Sequence, residues 1–115
     1  DKTRWVIIDA GTNLIPILTI YSEFHEIIFH SKKQPVKTSI AGPLLYSADI
    51  IVSSRLLPKG DIGEIVVIAD VGAYFTCQAN QFLFPRIPTV LISKNKEQII
   101  QRRETIEDML IRDTV

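Results

Sequence analysis

The sequence predicts a mostly β domain, an antiparallel, Greek-key-like barrel with a short C-terminal helix. Three observations carry that expectation. Short apolar runs alternate with Gly, Pro and polar breaks along most of the chain, a spacing that suits strands. The run Ile65 to Ala69, β-branched in the main, reads as a strand buried on both faces. It lies between Gly63 and Gly72, residues that can take positive φ where a chain must turn. A helical signature is confined to the end, where Thr105 and Asp108 form a capping-box-like start and Ile106, Met109 and Leu110 share a face.

In order along the chain, Arg4 to Ala10 is the first predicted strand, stopped by Gly11. Thr12 to Tyr21 fits neither period, and Pro16 argues against a regular helix there. Phe24 to His30 is the second strand, followed by the break Lys32-Lys33-Gln34-Pro35 and a third strand from Val36 to Ile40. Gly42-Pro43 bends the chain, because proline has no N–H for a ladder. Asp49 to Leu57 is the fourth strand, Pro58-Lys59-Gly60-Asp61 a turn, and the Ile65 run the fifth. Ala73 to Gln78, Pro88 to Ser93 and Glu97 to Arg102 complete the predicted strands.

A chain of 115 residues fits one domain, enough to bury roughly two-thirds of its unfolded surface. Its 46% hydrophobic and 23% charged content is that of an ordinary globular chain. A formal net charge of +0 gives no electrostatic case for nucleic acid or an anionic membrane as main partner. The single cysteine, Cys77, cannot form an internal disulfide, which points to a reducing compartment such as the cytoplasm. No apolar run approaches the ~20 residues of a membrane-spanning helix. The chain starts without Met and enters a strand by Trp5, so a piece of a longer protein is expected.

Self-sufficient catalytic machinery is not visible. His25 and His30, five apart on one predicted strand, would point to opposite faces and be partly exposed, so no metal site is expected. There is no Gly-x-Ser-x-Gly elbow and no phosphate-cradling glycine loop leading into a helix. Each lysine, from Lys2 to Lys96, lies in or beside a polar break, not in an apolar pocket that would make it a nucleophile. Tyr74, just past Gly72, combines an apolar ring with a hydroxyl; taken alone, it also fits a core tyrosine after a turn.

The motifs in series say more: Asp9-Ala10-Gly11, Tyr21 with His25-Glu26, Gly42-Pro43-Leu44 with Ser47 and Asp49, Leu57-Pro58, Asp70-Val71-Gly72-Ala73-Tyr74, and Arg102-Arg103-Glu104-Thr105. In this order and spacing they resemble the C-terminal domain of the fold-type III pyridoxal-phosphate decarboxylases, the family of diaminopimelate, ornithine and arginine decarboxylases. The resemblance covers nearly the whole chain, so residues 1–115 are expected to be such a domain in an alanine-racemase/decarboxylase-type two-domain enzyme. It implies an N-terminal (β/α)8 barrel that holds pyridoxal phosphate through a Schiff-base lysine, and a homodimer in which this domain completes the partner's active site. It further implies that Tyr74 reaches the cofactor phosphate or the substrate and that Tyr21 lines the substrate pocket. Ser47 and Asp49 read instead as loop hydrogen-bonders that hold the site in shape.

The chain also departs from the family it resembles. The residue after Gly-Pro-Leu is there usually a cysteine that helps to reprotonate the decarboxylated intermediate; here it is Leu45, which transfers no proton. The next position, an acid that reads the substrate's distal ammonium, is Tyr46, with only a neutral hydroxyl to offer the substrate. An Arg-Pro pair that grips a second carboxylate is replaced by Ile17-Leu18. Losing such a charge-assisted contact costs about 1.5–3 kcal/mol, which argues against meso-diaminopimelate as substrate. Cys77, three residues past Tyr74 on a predicted strand, would face away and not replace the thiol. Two functions are therefore expected to compete: a decarboxylase domain with an atypical substrate, less polar or carried on a larger molecule, and a catalytically silent relative that binds and regulates an active enzyme; a free-standing β-barrel binding module is the third alternative.

Overall fold

The computed structural model describes residues 3–21 and 23–114. It divides into two units, Asp1–Ala79 and Asn80–Val115. Among the described residues seven strands and three short helices make it mostly β: β1 (Arg4–Ile7), α1 (Ile17–Ile20), β2 (Ile27–Phe29), β3 (Pro35–Ala41), β4 (Ile50–Pro58), β5 (Val66–Ile68), α2 (Phe75–Gln78), β6 (Thr89–Ser93), β7 (Lys96–Gln101) and α3 (Ile106–Leu110).

The mostly β expectation holds, but no closed barrel is found among the described residues. Among the described residues the strands make three separate sheets, ordered β1-β3-β4, β2-β5 and β6-β7, and none closes on itself. The first sheet is mixed, because β1 and β3 run parallel, Arg4 beside Thr38 through Ile7 beside Ala41. Parallel neighbours need a long crossover, and the chain supplies one through α1 and β2, whose own partner lies in another sheet.

In the first unit a core of Ile15, Ile17, Leu18, Ile27, Phe29, Ile40, Ile51, Val52, Leu57 and Phe75 joins the three-stranded sheet to β2, α1 and α2. Ile40 and Thr38, neighbours but one on β3, have no exposed surface. Register slips twice between β3 and β4, each time with one extra residue on β4. Ser54 lies at one of these slips with φ 50°, and its N–H is taken by the Ser39 hydroxyl at 3.0 Å. The bulge therefore leaves no donor stranded.

Several expectations fail for local reasons. The strand through Ile65 to Ala69 is not buried on both faces: Ile65 and Val67 are exposed, as befits a two-stranded ribbon with one covered side. Gly63 does turn at φ 85°, but Gly72 does not take positive φ; Asp70 and Tyr74 do instead. Residues 75–78, expected to be extended, form α2, closed by Ala79 N–H donating to the Phe75 carbonyl at 2.9 Å. Pro16 does not forbid a helix but starts one, as the N-cap of α1, where its missing N–H costs nothing. His25 and His30 do not share a strand, since β2 begins at Ile27, and His25 is buried where partial exposure was expected.

In the second unit β6 and β7 pair around Lys94 and Asn95, both at positive φ, the geometry of a two-residue type I′ hairpin turn. α3 follows with the expected capping box: Thr105 accepts from the Asp108 N–H and the Asp108 carboxylate accepts from that of Thr105.

Candidate functional site

The loop from Gly42 to Asp49 is built around one buried carboxylate. Asp49 is 3% exposed; its Oδ1 accepts from the Thr12 N–H and its Oδ2 from the Leu44 N–H, both at 2.8 Å. Its backbone joins in, with the carbonyl accepting from Gly42 at 3.0 Å and the N–H donating to the Tyr46 carbonyl at 3.1 Å. A buried charge is tolerated only where such donors converge. The packing requires glycine at the start of the loop and at position 11 on the segment facing it. A Cβ on Gly42 would strike the Asp49 carboxylate and stand 2.5 Å from Gly11 Cα, and one on Gly11 would stand 2.7 Å from Leu44 Cγ. The Asp9-Ala10-Gly11 and Gly42-Pro43-Leu44 motifs are thus two halves of one knot, and Asp49 holds the loop as expected.

At its tip this loop displays Leu45, 95% exposed and at φ 59°. A bulky side chain in the left-handed region is strained, so the loop spends conformational energy to hold up an apolar side chain. Tyr46 beside it is half-exposed, and its hydroxyl meets Thr12 Oγ1 at 2.5 Å. One hydrogen-bonding direction of the phenol is thereby used inside the loop.

A second knot follows Tyr21 and adjoins Tyr74 along the chain. Tyr21 ends α1 and is exposed. Four residues later His25 is buried, its Nδ1 2.9 Å from the Ala69 carbonyl and its ring packed edge-on against Phe75, with centroids 5.3 Å apart. Arg55 of β4 clasps this segment, donating to the His25 carbonyl at 2.7 Å and lying 4.2 Å from the centre of the Phe24 ring. Tyr74 directly precedes Phe75; it is 73% exposed at φ 65°. Among the described residues nothing hydrogen-bonds its hydroxyl. Cys77 is exposed on α2 and its thiol donates to the Tyr74 carbonyl at 3.1 Å, so it lies beside Tyr74 and not on an opposite strand face.

His25, Phe75 and Thr12 were not read as site builders. The signal for His25 was its place in the Tyr21 motif, but a strand assignment hid it. Thr12 and Asn13 are polar residues buried before an apolar run, which no periodicity marks.

The Arg102-to-Thr105 motif has its own geometry in the second unit. Glu104 Oε2 accepts from the Arg86 N–H and from Gln81 Nε2, each at 2.9 Å, and Oε1 from Arg86 Nη1 at 3.0 Å. The Arg86 backbone N–H, then Gln81, hold this carboxyl below the usual glutamate range. Arg102 grips both oxygens of Asp108 and holds its carboxyl well below the usual range. These contacts are structural.

Among the described residues no three His, Cys, Asp or Glu side chains converge on a metal position, and no helix is long and apolar enough to cross a membrane. The described lysines, Lys32, Lys33, Lys37, Lys59, Lys94 and Lys96, are all exposed.

The domain is mostly β and holds Leu45 and Tyr74 exposed on left-handed backbone, each beside a hydrogen-bonded knot. The chain belongs to the pyridoxal-dependent decarboxylases, as their C-terminal sheet domain: the model of that family matches residues 1–72, which take in Tyr21, Leu45 and Tyr46 and end just before Tyr74. It is similar to the diaminopimelate decarboxylase of Methanocaldococcus jannaschii, 38% identical over 115 residues, covering 98% of this chain and 26% of the relative. The crystal structure of diaminopimelate decarboxylase from M. jannaschii superposes with a TM-score of 0.89 over 96% of this chain and 26% of that one. The Escherichia coli K12 diaminopimelate decarboxylase is 31% identical over 124 residues, covering 93% of this chain and 29% of its own length. The chain thus spans between a quarter and a third of the length of these curated relatives.

Proposed function

We propose that residues 1–115 form the C-terminal domain of a pyridoxal-phosphate amino-acid decarboxylase, a carboxy-lyase whose (β/α)8 barrel carries the cofactor. In this reading the domain dimerises in the cytoplasm and supplies one wall of the partner's active site. The observation that supports it is the shared geometry of Leu45 and Tyr74, both exposed and both on left-handed backbone. Strain of about 1–3 kcal/mol at each such residue persists where the fold over-determines it, and tends to mark functional positions.

The residues present fit the cofactor as a single contact and no more. Tyr74 offers one uncommitted phenol, able to donate to a phosphate oxygen or to the substrate. The exposure of the described lysines suits a domain that leaves covalent attachment to another part of the protein. Pyridoxal phosphate, when bound, supplies the electron sink for the carbanion left by departing CO2. Tyr74 orients; Tyr21 and Tyr46 line the substrate side. Leu45 excludes water and moves no proton, and the Tyr46 hydroxyl, bonded to Thr12, offers no charge to a distal ammonium. The substrate that suits this wall ends in an apolar or carrier-linked group.

Leu45 also favours a second reading, a catalytically silent relative that uses the same surface to bind an active decarboxylase. Visible absorbance of the full-length protein with pyridoxal phosphate, and CO2 release by it and by its Leu45→Cys variant, separate the two. The first reading expects bound cofactor and turnover of a less polar amino acid. The second expects no turnover from either protein. Cofactor retained by residues 1–115 alone would contradict both.

A further inference from the structure

We infer that His25 is a positioning residue, clamping the Ala69–Phe75 connection at both ends so that Tyr74 is held outward between them. This rests on the reading of Tyr74 given above.

The connection leaves β5 at Ala69, turns through Asp70 at φ 58°, and enters α2 at Phe75. At its first end, the Ala69 carbonyl can only accept, so His25 Nδ1 at 2.9 Å carries the proton and the ring plane is fixed. Ala69 is held again through its N–H, which donates to the Glu26 carbonyl at 3.0 Å. At the far end Phe75, 4% exposed and the sole buried residue of α2, meets the same imidazole edge-on at an interplanar angle of 81°. Tyr74 has no side-chain cap to steer it. Its carbonyl is tied into α2 by the Gln78 N–H at 3.3 Å and the Cys77 thiol at 3.1 Å, so the placement of the whole turn depends on what anchors its two flanks, and one ring anchors both.

The clamp itself is immobilised by Arg55, bonded to the His25 carbonyl at 2.7 Å. An apolar residue would fill the space at position 25 but leave the Ala69 carbonyl without this donor. Histidine stands here although its Nε2 is buried without a hydrogen-bond partner among the described residues, Glu23 Oε2 being 3.6 Å away. Burying such an atom is unfavourable, which marks a requirement that Leu or Phe would not meet.

The test uses the full-length protein carrying this chain, with two readouts: the dissociation constant of pyridoxal phosphate from visible absorbance, and deuterium exchange over residues 70–79. Tyr74→Phe is expected to weaken cofactor binding about tenfold. His25→Phe, which keeps a ring and removes the donor, is expected to weaken it about threefold, to speed exchange over 70–79 while sparing β3 and β4, and to add nothing to Tyr74→Phe in the double variant. An equal His25→Phe effect in the wild-type and Tyr74→Phe backgrounds would overturn the inference, as would unchanged exchange. If Tyr74→Phe leaves cofactor binding intact, the reading of Tyr74 fails, and exchange alone decides the clamp: faster over 70–79 supports it, unchanged overturns it. Should His25→Phe not fold, His25→Asn keeps a donor near the Nδ1 position while withdrawing the ring from Phe75, and the same outcomes apply.

Discussion

The two units of this chain are stabilised by different means. Up to Ala79, buried side chains from three strands and two helices share a core, and the buried carboxylate of Asp49 is satisfied by backbone donors. From Asn80 on, no described residue is fully buried; a two-stranded hairpin and a short helix are held by carboxylate clasps at Glu104 and Asp108. A ribbon of two strands is marginal by itself. The comparison teaches what surrounds an exposed left-handed residue: Leu45 and Tyr74 stand beside buried, hydrogen-bonded neighbours, whereas Leu83 of the second unit, exposed at φ 66°, stands where no described residue is buried.

Ile40→Ala breaks the first unit most directly. With no exposed surface at this position, the loss of core contacts should cost about 2–5 kcal/mol in urea unfolding. Asp49→Ala comes next, at about 3 kcal/mol, because two buried N–H donors lose their acceptor together. Its particular mark is faster deuterium exchange at Thr12 and Leu44. Gly42→Ala follows at about 1–3 kcal/mol, the cost of forcing a methyl against the carboxylate and Gly11.

The smallest effect sharpens the other side of the comparison. Glu104 has its folded-state carboxyl lowered, so its contribution is complete above the ordinary glutamate range and lost as pH falls through the lowered value. NMR signals of the Arg86 amide and the Gln81 side-chain amide should therefore shift below about pH 4.3, while the amides of β3 and β4 stay in place. Movement of both sets together would show that the two units do not respond separately.

Much of this was legible in the residues. The first five strands and the last two were marked by apolar runs and breaks, and the C-terminal helix by the Thr105/Asp108 spacing. Motif order disclosed the family where periodicity was silent. What failed was non-local. Whether β1 pairs parallel or antiparallel depends on where the crossover packs, and the half-exposed face of β5 depends on its having one neighbour. α2 was misread because Ala73 to Gln78 is too short for either period to declare itself, and because a tyrosine at positive φ breaks the rule that glycine makes such turns. The role of Asp49 was read correctly because a loop acid after Gly-Pro has few other uses. The burial of His25 was missed because its partners lie 44 and 50 positions away in the chain.

The structure of the full-length protein with pyridoxal phosphate bound would test the central claim most directly. The Tyr74 hydroxyl should lie within about 3 Å of a cofactor phosphate oxygen or of the substrate, reached across the boundary between two subunits. A phenol left in open water, or turned into a contact remote from any cofactor, would contradict it.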